Sequence, residues 1–237
     1  MIKSALFDVF GTCVDWRTGV ANFIRPMLHH SSLDPTLSYE IADAWRKLYD
    51  PAMEKVRDGS RDYVTLDIIQ RENLDIVLDN LDLEAHFKDD VRDLMNQAWE
   101  QLPAWPDTAD GLATFKSAMP IAACSNGSSV MMQRLAGFAN LPWSMICGAD
   151  TARNFKPHRD VYLNSCEALG TTPEETLMIA CHADDLDAAA TFGLKTAYFP
   201  QPSEWGDKTF MHDINPDRFT FHANTFTQLA DMVTARC

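Results

Sequence analysis

The sequence lacks the features that mark secreted, membrane-spanning or nucleic-acid-binding proteins. Its amino-terminal segment has no basic stretch before a long apolar run, and no window holds about 18 uncharged apolar residues. We therefore expect a cytoplasmic protein with neither a signal peptide nor a membrane span. Positive charge is scarce, with 20 Lys and Arg against 34 Asp and Glu and a net charge of -14. This charge argues against nucleic-acid and anionic-membrane partners, and it requires any anion site to be built from a few local cations.

Paired cysteines are also missing. Six cysteines are scattered without a CxxC spacing, which argues against a zinc motif or a disulfide framework. Three of them lie in or at the end of apolar runs, where a free cysteine behaves as a small hydrophobic residue: Cys124, Cys147 and Cys181. The other three are Cys13, Cys166 and Cys237. What is present, 237 residues with 46% apolar side chains, suffices for one large domain or a domain with an insertion.

Short apolar segments recur along the chain, separated by stretches long enough for helices. The segments cover residues 4–8, 120–124, 143–147, 176–181 and 195–199. Helical stretches follow at residues 128–140 and 159–170, the second ending in a glycine stop. Alternation of strand and helix predicts a parallel α/β sheet.

Residues 15–100 interrupt this alternation. They contain no comparable strand segment, but they carry helical spacing of apolar residues over 38–56, 63–81 and 85–102. The pattern predicts an α/β core in two sequence pieces, with a helical subdomain inserted directly after the first strand.

Polar residues stand where the apolar segments stop. The first ends at Asp8, the second at Ser125 and Asn126, and the fourth near residues 182–185, while Lys156 lies in a loop before the helix that precedes the fourth strand. Because ligands bind at the carboxyl ends of parallel strands, we expect these residues to converge. In that arrangement Asp8 can act as a nucleophile, and Lys156 can hold it ionised.

Four motifs, FDVFGT, CSNG, FKP and HADDLDAA, resemble those of the haloacid dehalogenase superfamily in order and spacing, over nearly the whole chain. The resemblance implies a Rossmann-like parallel-sheet core, residues 1–14 and 101–237, with a helical cap at residues 15–100. Most members are phosphatases, which need a second aspartate where this chain has Phe10 and an acidic Mg²⁺ ligand where it has Cys181. Both departures disfavour phosphoryl transfer, but a Mg²⁺-dependent phosphatase with atypical motifs remains the alternative.

The departures are similar to those of the metal-independent 2-haloacid dehalogenases of this superfamily. In that branch, an arginine on a cap helix lies over the halogen, and this arginine directly follows a tryptophan. Here Arg46 follows Trp45 in the same way. It pairs the lysine of the third motif with a tyrosine six residues later, as with Lys156 and Tyr162, and its first motif carries the threonine found here as Thr12. The resemblance implies hydrolysis of short 2-haloalkanoic acids, favouring the L form, without metal or cofactor, and by analogy a homodimer.

The implied reaction has two steps. The Asp8 carboxylate attacks carbon 2 opposite the halogen, giving inversion, an ester and free halide. Halide leaves without a proton, so Phe10 replaces an acid that is not needed. Water positioned by Asp185 and His182 then hydrolyses the ester and releases a 2-hydroxy acid, while Ser125 holds the substrate carboxylate.

Halide departure needs positive or N–H partners, which Arg46 and Asn126 can provide. Alternatives stay open at three positions. Arg46 could lie on a solvated helix face, and Tyr162 could be a core residue. His182 could be a hydrogen-bonded residue at a strand end that binds neither halide nor water. A bulky His182 would also narrow the halide pocket enough to suit fluoride, which would extend the activity to fluoroacetate. A catalytically silent binding protein on the same scaffold is a third interpretation.

Overall fold

Six parallel strands form a single sheet in this computed structural model, which describes residues 1–206 and 214–236. The strands are β1 (Ser4–Phe7), β2 (Ile121–Ser125), β3 (Met145–Gly148), β4 (Thr176–Ala180), β5 (Lys195–Tyr198) and β6 (Phe221–His222). Their spatial order is β3-β2-β1-β4-β5-β6. The predicted α/β parallel sheet is confirmed. The short β6 was not predicted, because two residues make too brief a run to be recognised as a strand pattern.

One core helix precedes β2, and the other core helices alternate with the strands after it, as the sequence predicts. The core helices are α5 (Thr108–Ala118), α6 (Ser129–Ala139), α7 (Ala149–Ala152), α8 (Arg159–Ala168), α9 (Ala183–Thr191) and α10 (Phe226–Thr234). The inserted helices between β1 and β2 are α1 (Trp16–His30), α2 (Leu37–Arg57), α3 (Leu66–Asn80) and α4 (Asp89–Asn96), followed by a 3-10 turn at Gln97–Glu100. The helix α1 was not predicted separately from the rest of the insertion.

Both faces of the sheet are buried. Along β1, Phe7 enters one apolar cluster with residues of α5 and α10, while the preceding Leu6 enters a second cluster with residues of α8 and α9. Alternate residues of β4 divide in the same way. Because both faces are covered, these strands consist of continuous apolar residues instead of alternating polar and apolar ones.

The central strand β1 lies at the switch point of the sheet. It pairs with β2 on one side and with β4 on the other, so the chain order runs outward in both directions from it. Crevices form at the carboxyl ends of strands where the order reverses, and they are the usual ligand sites of open α/β sheets. Asp8 directly follows β1 and therefore stands at the centre of that edge.

The inserted helices pack onto this edge through a group of aromatic side chains. Trp99 lies in the turn that closes the insertion and packs against three other rings. Its ring centroid is 5.8 Å from that of Phe10 and 5.5 Å from that of Trp45, both edge-on, and 6.3 Å from that of Trp16, which is stacked. All four are buried, and they belong to the same apolar cluster as the strands. The cap is therefore packed onto the core at the sheet edge where Asp8 stands, and the exact boundaries at residues 14/15 and 100/101 stay a prediction.

Two further sequence expectations concern membrane spans and the state of the cysteines. Within residues 1–206 and 214–236, none of the helices has the length and apolar character needed to cross a bilayer. Five of the six cysteines are free thiols, and Cys237 lies outside the described residues.

Candidate active site

The carboxylate of Asp8 is buried and hydrogen-bonded on both oxygens. Its Oδ1 accepts from Lys156 Nζ at 2.9 Å, and its Oδ2 accepts from Thr12 Oγ1 at 2.7 Å. Burial alone would raise the pKa of Asp8, but Lys156 and His182 outweigh it and hold the pKa well below the ordinary value of 3.8. Asp8 is thus an ionised, oriented carboxylate, which is what a nucleophile requires.

Lys156 is a buried cation shared by two carboxylates. Its Nζ also donates to Asp185 Oδ2 at 2.6 Å, and Tyr162 donates to the other oxygen of Asp185 at 2.6 Å. Burial would lower the pKa of Lys156, but Asp185 and Asp8 raise it well above 10.5. The pKa of Asp185 is raised, chiefly by burial and also by the negative charge of Asp8, which together outweigh the charge of Lys156. Asp185 and Tyr162 therefore hold Lys156 against Asp8.

The backbone of Lys156 is fixed from both subdomains. Its N–H donates to Asn126 Oδ1 at 2.7 Å, after β2, and its carbonyl oxygen accepts from Arg57 Nη1 at 2.9 Å, in the cap helix α2. Asn126 lines the cavity, and since its acceptor is occupied, its side-chain amide can serve a ligand there only as a donor. The position of the cation thus depends on a strand end and on the cap together.

His182 stands between two carboxylates. Its Nδ1 lies 3.1 Å from Asp8 Oδ2, and its Nε2 lies 3.0 Å from Glu204 Oε2. Trp16 Nε1 donates to the other oxygen of Glu204 at 2.9 Å. A histidine whose two ring nitrogens face carboxylates carries a proton on each and is positively charged.

The contacts between His182 and Glu204 explain the pKa shifts of both residues. Burial would lower the pKa of His182, but the Cys181 sulfur, the Glu204 carboxylate and the hydrogen bond to Asp8 raise it well above 6.5. Burial would likewise raise the pKa of Glu204, but the charge of His182 and its hydrogen bond lower it below 4.5. Glu204 is therefore an ionised partner of a protonated His182.

Glu204 was missed by the sequence reasoning. It lies in the irregular segment after β5, where a single glutamate among prolines and a tryptophan gives no motif. Gly11 offers a structural signal for it: the residue has a φ of +84°, and a Cβ there would collide with Glu204 Oε1. The glycine of the first motif thus leaves room for a carboxylate that is remote in sequence.

A cavity of about 380 Å³ opens over Asp8 between the sheet edge and the cap. Its walls bring together most residues predicted for the site: Asp8, Phe10, Arg46, Asn126, Lys156, Tyr162, His182 and Asp185. The cap adds three residues that were not predicted: Tyr49, Asp50 and Met53. Thr12 lies beneath the cavity, bonded to Asp8, and Ser125 is fully buried outside its lining, where its Oγ accepts from Gly127 N–H at 3.2 Å.

Arg46 lines this cavity and has a guanidinium nitrogen without a hydrogen-bond partner among the described residues. Its guanidinium lies 4.1 Å above the ring of Tyr49 and 5.4 Å above that of Trp16. Its Nη1 is buried, and no described residue accepts a hydrogen bond from it. A buried guanidinium N–H without a partner is costly unless a ligand completes it, so this donor is suited to an anion.

Comparison with known proteins agrees with this geometry. A family model described as haloacid dehalogenase-like hydrolase matches residues 2–193. The chain belongs to that family. An (S)-2-haloacid dehalogenase of Xanthobacter autotrophicus is 32% identical over 200 residues, which cover 83% of this chain and 74% of the relative.

Two solved structures extend the comparison of this hydrolase to nearly its full length. A defluorinating L-2-haloacid dehalogenase is 35% identical, with a TM-score of 0.90 over 98% of this chain and 94% of the other. An L-2-haloacid dehalogenase from Xanthobacter autotrophicus with chloropropionic acid covalently bound is 25% identical, with a TM-score of 0.82 over 100% of both chains. The resemblance drawn from the four motifs is confirmed.

Replacing Lys156 by methionine should destabilise the hydrolase in a pH-dependent way. The change leaves Asp185 buried without a cation and Asp8 with His182 alone, which we expect to lower the free energy of unfolding by about 3–5 kcal/mol at about pH 7.5. The carboxylates of the variant acquire raised pKa values, so they take up protons in the folded state as the pH falls and the loss shrinks by about pH 5.

Urea unfolding of both proteins at the two pH values measures this difference. In the wild type, the lowered pKa of Asp8 keeps its contribution intact until the pH falls below 3.8. Lys47→Met, the same change at an exposed position of α2, should alter the free energy of unfolding by less than about 0.5 kcal/mol at either pH. An equal loss for Lys156→Met at both pH values would contradict the charge argument.

Proposed function

We propose that this hydrolase removes halide from short 2-haloalkanoic acids of the L form, giving 2-hydroxy acids with inversion at carbon 2. The observation that carries the proposal is the ionised Asp8, held by Lys156, facing a cavity that contains the uncommitted donor of Arg46. Phe10 occupies the place of a proton donor, so the site suits a leaving group that departs as a stable anion. The relatives named above carry the same activity in their names.

In the first step, an oxygen of Asp8 attacks carbon 2 from the side opposite the halogen. The new C–O bond forms as the carbon–halogen bond breaks, and the electron pair leaves with the halide. Arg46 and the amide of Asn126 stabilise the developing halide charge. Backbone N–H groups after β1 and near Asn126 orient the substrate carboxylate. Ser125, predicted to hold that carboxylate, lies outside the cavity lining and instead accepts from the N–H of Gly127. The apolar wall at Phe10 keeps water from the nucleophile.

In the second step, His182 acts as the general base. Glu204 can only accept, so it keeps the proton on Nε2 and makes Nδ1, the nitrogen facing Asp8, the site that loses and regains a proton. Ester formation removes the negative charge of Asp8, one cause of the raised pKa of His182, so Nδ1 releases its proton to solvent. Water then attacks the Asp8 carbonyl carbon while Nδ1 takes one of its protons, and that proton passes to the departing alkoxide. The second proton of the water, left on the Asp8 carboxyl, moves to Nδ1 and restores the ionised Asp8 and the charged His182.

The proposed chemistry uses neither metal nor cofactor. Phosphoryl transfer in this family needs a carboxylic acid at the position of Phe10 and an oxygen ligand at the position of Cys181. Both oxygens of Asp185 are engaged by Lys156 and Tyr162, so we assign this residue to holding the lysine and leave the water to His182. We therefore do not favour the phosphatase alternative.

Hydrolysis in ¹⁸O-water with enzyme in excess over 2-chloropropionate tests the ester. A single turnover should place ¹⁸O in the Asp8 carboxylate and none in the first lactate, because water attacks the carbonyl carbon of the ester. Mass spectrometry of the Asp8 peptide and of the product measures this. Repeated turnover is the control, since it must bring label into both. Label that enters the product directly would mean that water attacks the substrate.

Glu204→Gln should slow ester hydrolysis far more than ester formation. The neutral amide no longer supports a charged His182, so we expect kcat to fall about 10²–10⁴-fold. Ester should then accumulate, seen as a burst of about one halide per chain and as added mass on the Asp8 peptide. Glu167→Gln, at an exposed position of α8, should behave as the wild type. Slow halide release without accumulated ester would contradict the assignment of His182 as base.

We further propose that fluoroacetate is a substrate. Fluoride is small and accepts hydrogen bonds strongly, which the guanidinium of Arg46 and the amide of Asn126 can satisfy. The 35% identity with a defluorinating relative supports this. Fluoride release should exceed that of Asp8→Asn, which lacks the nucleophile, yet be at least about tenfold slower than chloride release from chloroacetate, because the C–F bond is stronger. A fluoride-selective electrode measures the rate, and release no faster than in Asp8→Asn would contradict the proposal.

A further inference from the structure

Three potential metal ligands meet beside the nucleophile: the thiol of Cys181, the imidazole of His182 and the carboxylate of Glu204. They border a second cavity, of about 620 Å³, which shares His182 with the substrate cavity. The mechanism proposed above uses the histidine and the glutamate but gives the Cys181 sulfur no part. Sequence spacing does not reveal this cluster, because Glu204 is 22 residues from its histidine.

The separations of the three donor atoms fit a tetrahedral ion. Cys181 Sγ lies 3.6 Å from His182 Nε2 and 3.9 Å from Glu204 Oε2, and the nitrogen and that oxygen are 3.0 Å apart. Zinc takes sulfur at about 2.3 Å and nitrogen or oxygen at about 2.0 Å, so tetrahedral ligands lie about 3.3–3.6 Å from one another. Shifts of a few tenths of an ångström would bring all three donors to an ion between them.

The donor types select the kind of ion. Thiolate and imidazole favour Zn²⁺ and similar thiophilic cations, whereas Mg²⁺ requires oxygen ligands. We propose that Cys181, His182 and Glu204 form a binding site for a thiophilic divalent cation such as Zn²⁺, and that occupancy of this site switches the enzyme off. The ion replaces the thiol proton and the proton on Nε2, and both go to solvent. Water from the adjoining cavity completes the coordination.

The effect on activity, which rests on the proposed function, falls on one step. An ion on Nε2 takes Glu204 from the histidine and leaves Nδ1 with its proton, donating to Asp8. A zinc-bound imidazole does not release this second proton near neutral pH, so it cannot serve as the base for ester hydrolysis. Ester formation uses Asp8 and does not need that base. Zinc should therefore trap the ester after one halide has been released.

Titration calorimetry with ZnCl₂ in the absence of substrate tests the site itself. We expect one ion per wild-type chain, no heat of binding with MgCl₂, and binding at least about tenfold weaker for Cys181→Ser. Cys147→Ser, which removes a buried thiol on β3, is the matched control and should bind as the wild type. Equal zinc affinity in Cys181→Ser, or no binding by the wild type, would overturn the proposal.

Two measurements on the wild type keep the test decisive if Cys181→Ser does not fold. Cobalt in place of zinc should give a near-ultraviolet thiolate charge-transfer band, and zinc should protect Cys181 from iodoacetamide in peptide maps. Absence of protection would overturn the site.

With 2-chloropropionate, the zinc-bound enzyme should release about one halide per chain and then stop, and EDTA should restore turnover. Zinc binding without any dehalogenation by the metal-free enzyme would leave the site standing and refute the proposed function.

Discussion

A carboxylate buried against a lysine is the constraint on which the rest of this site depends. In the proposed reaction Asp8 attacks carbon and must stay ionised. Burial alone would raise the pKa of Asp8, and Lys156 supplies the opposing charge. Because Lys156 is itself buried, its side chain is shared with Asp185 and its backbone is held by Asn126 from the core and Arg57 from the cap. The charge of Asp8 thus depends on the cap being in place over the sheet.

Buried opposite charges also set the protonation of His182. His182 lies between the permanent carboxylate of Glu204 and the carboxylate of Asp8, which ester formation consumes. In the proposed mechanism the first step therefore prepares the base for the second, with no movement of the chain. Gly11 and Trp16 keep this arrangement in place, the glycine by leaving room for Glu204 and the indole by donating to it. This dense set of contacts also brings the thiol of Cys181 close to two metal-ligating groups.

Much of the fold and of the site could be predicted because parallel sheets obey a simple rule. Continuous apolar runs predict buried strands, and the residues that follow them meet at one edge, so Asp8, Asn126 and His182 could be grouped from their positions alone. The insertion was predictable from a change in apolar spacing. Predictions were weaker where an element is short, as for β6, or where several helices follow one another without a strand, as for α1.

The sequence by itself determined where the candidate site residues stand along the chain. A candidate nucleophile follows the first strand, a lysine lies in a later loop, and Phe10 stands where an acid would otherwise stand. Only the tertiary structure decided that Glu204 belongs to the site, that Ser125 lies outside the cavity lining, and that Arg46 faces inward. The physical reason is that motifs record local backbone requirements. Hydrogen bonds between residues 22 or 174 positions apart depend on how the segments pack, which no local pattern contains.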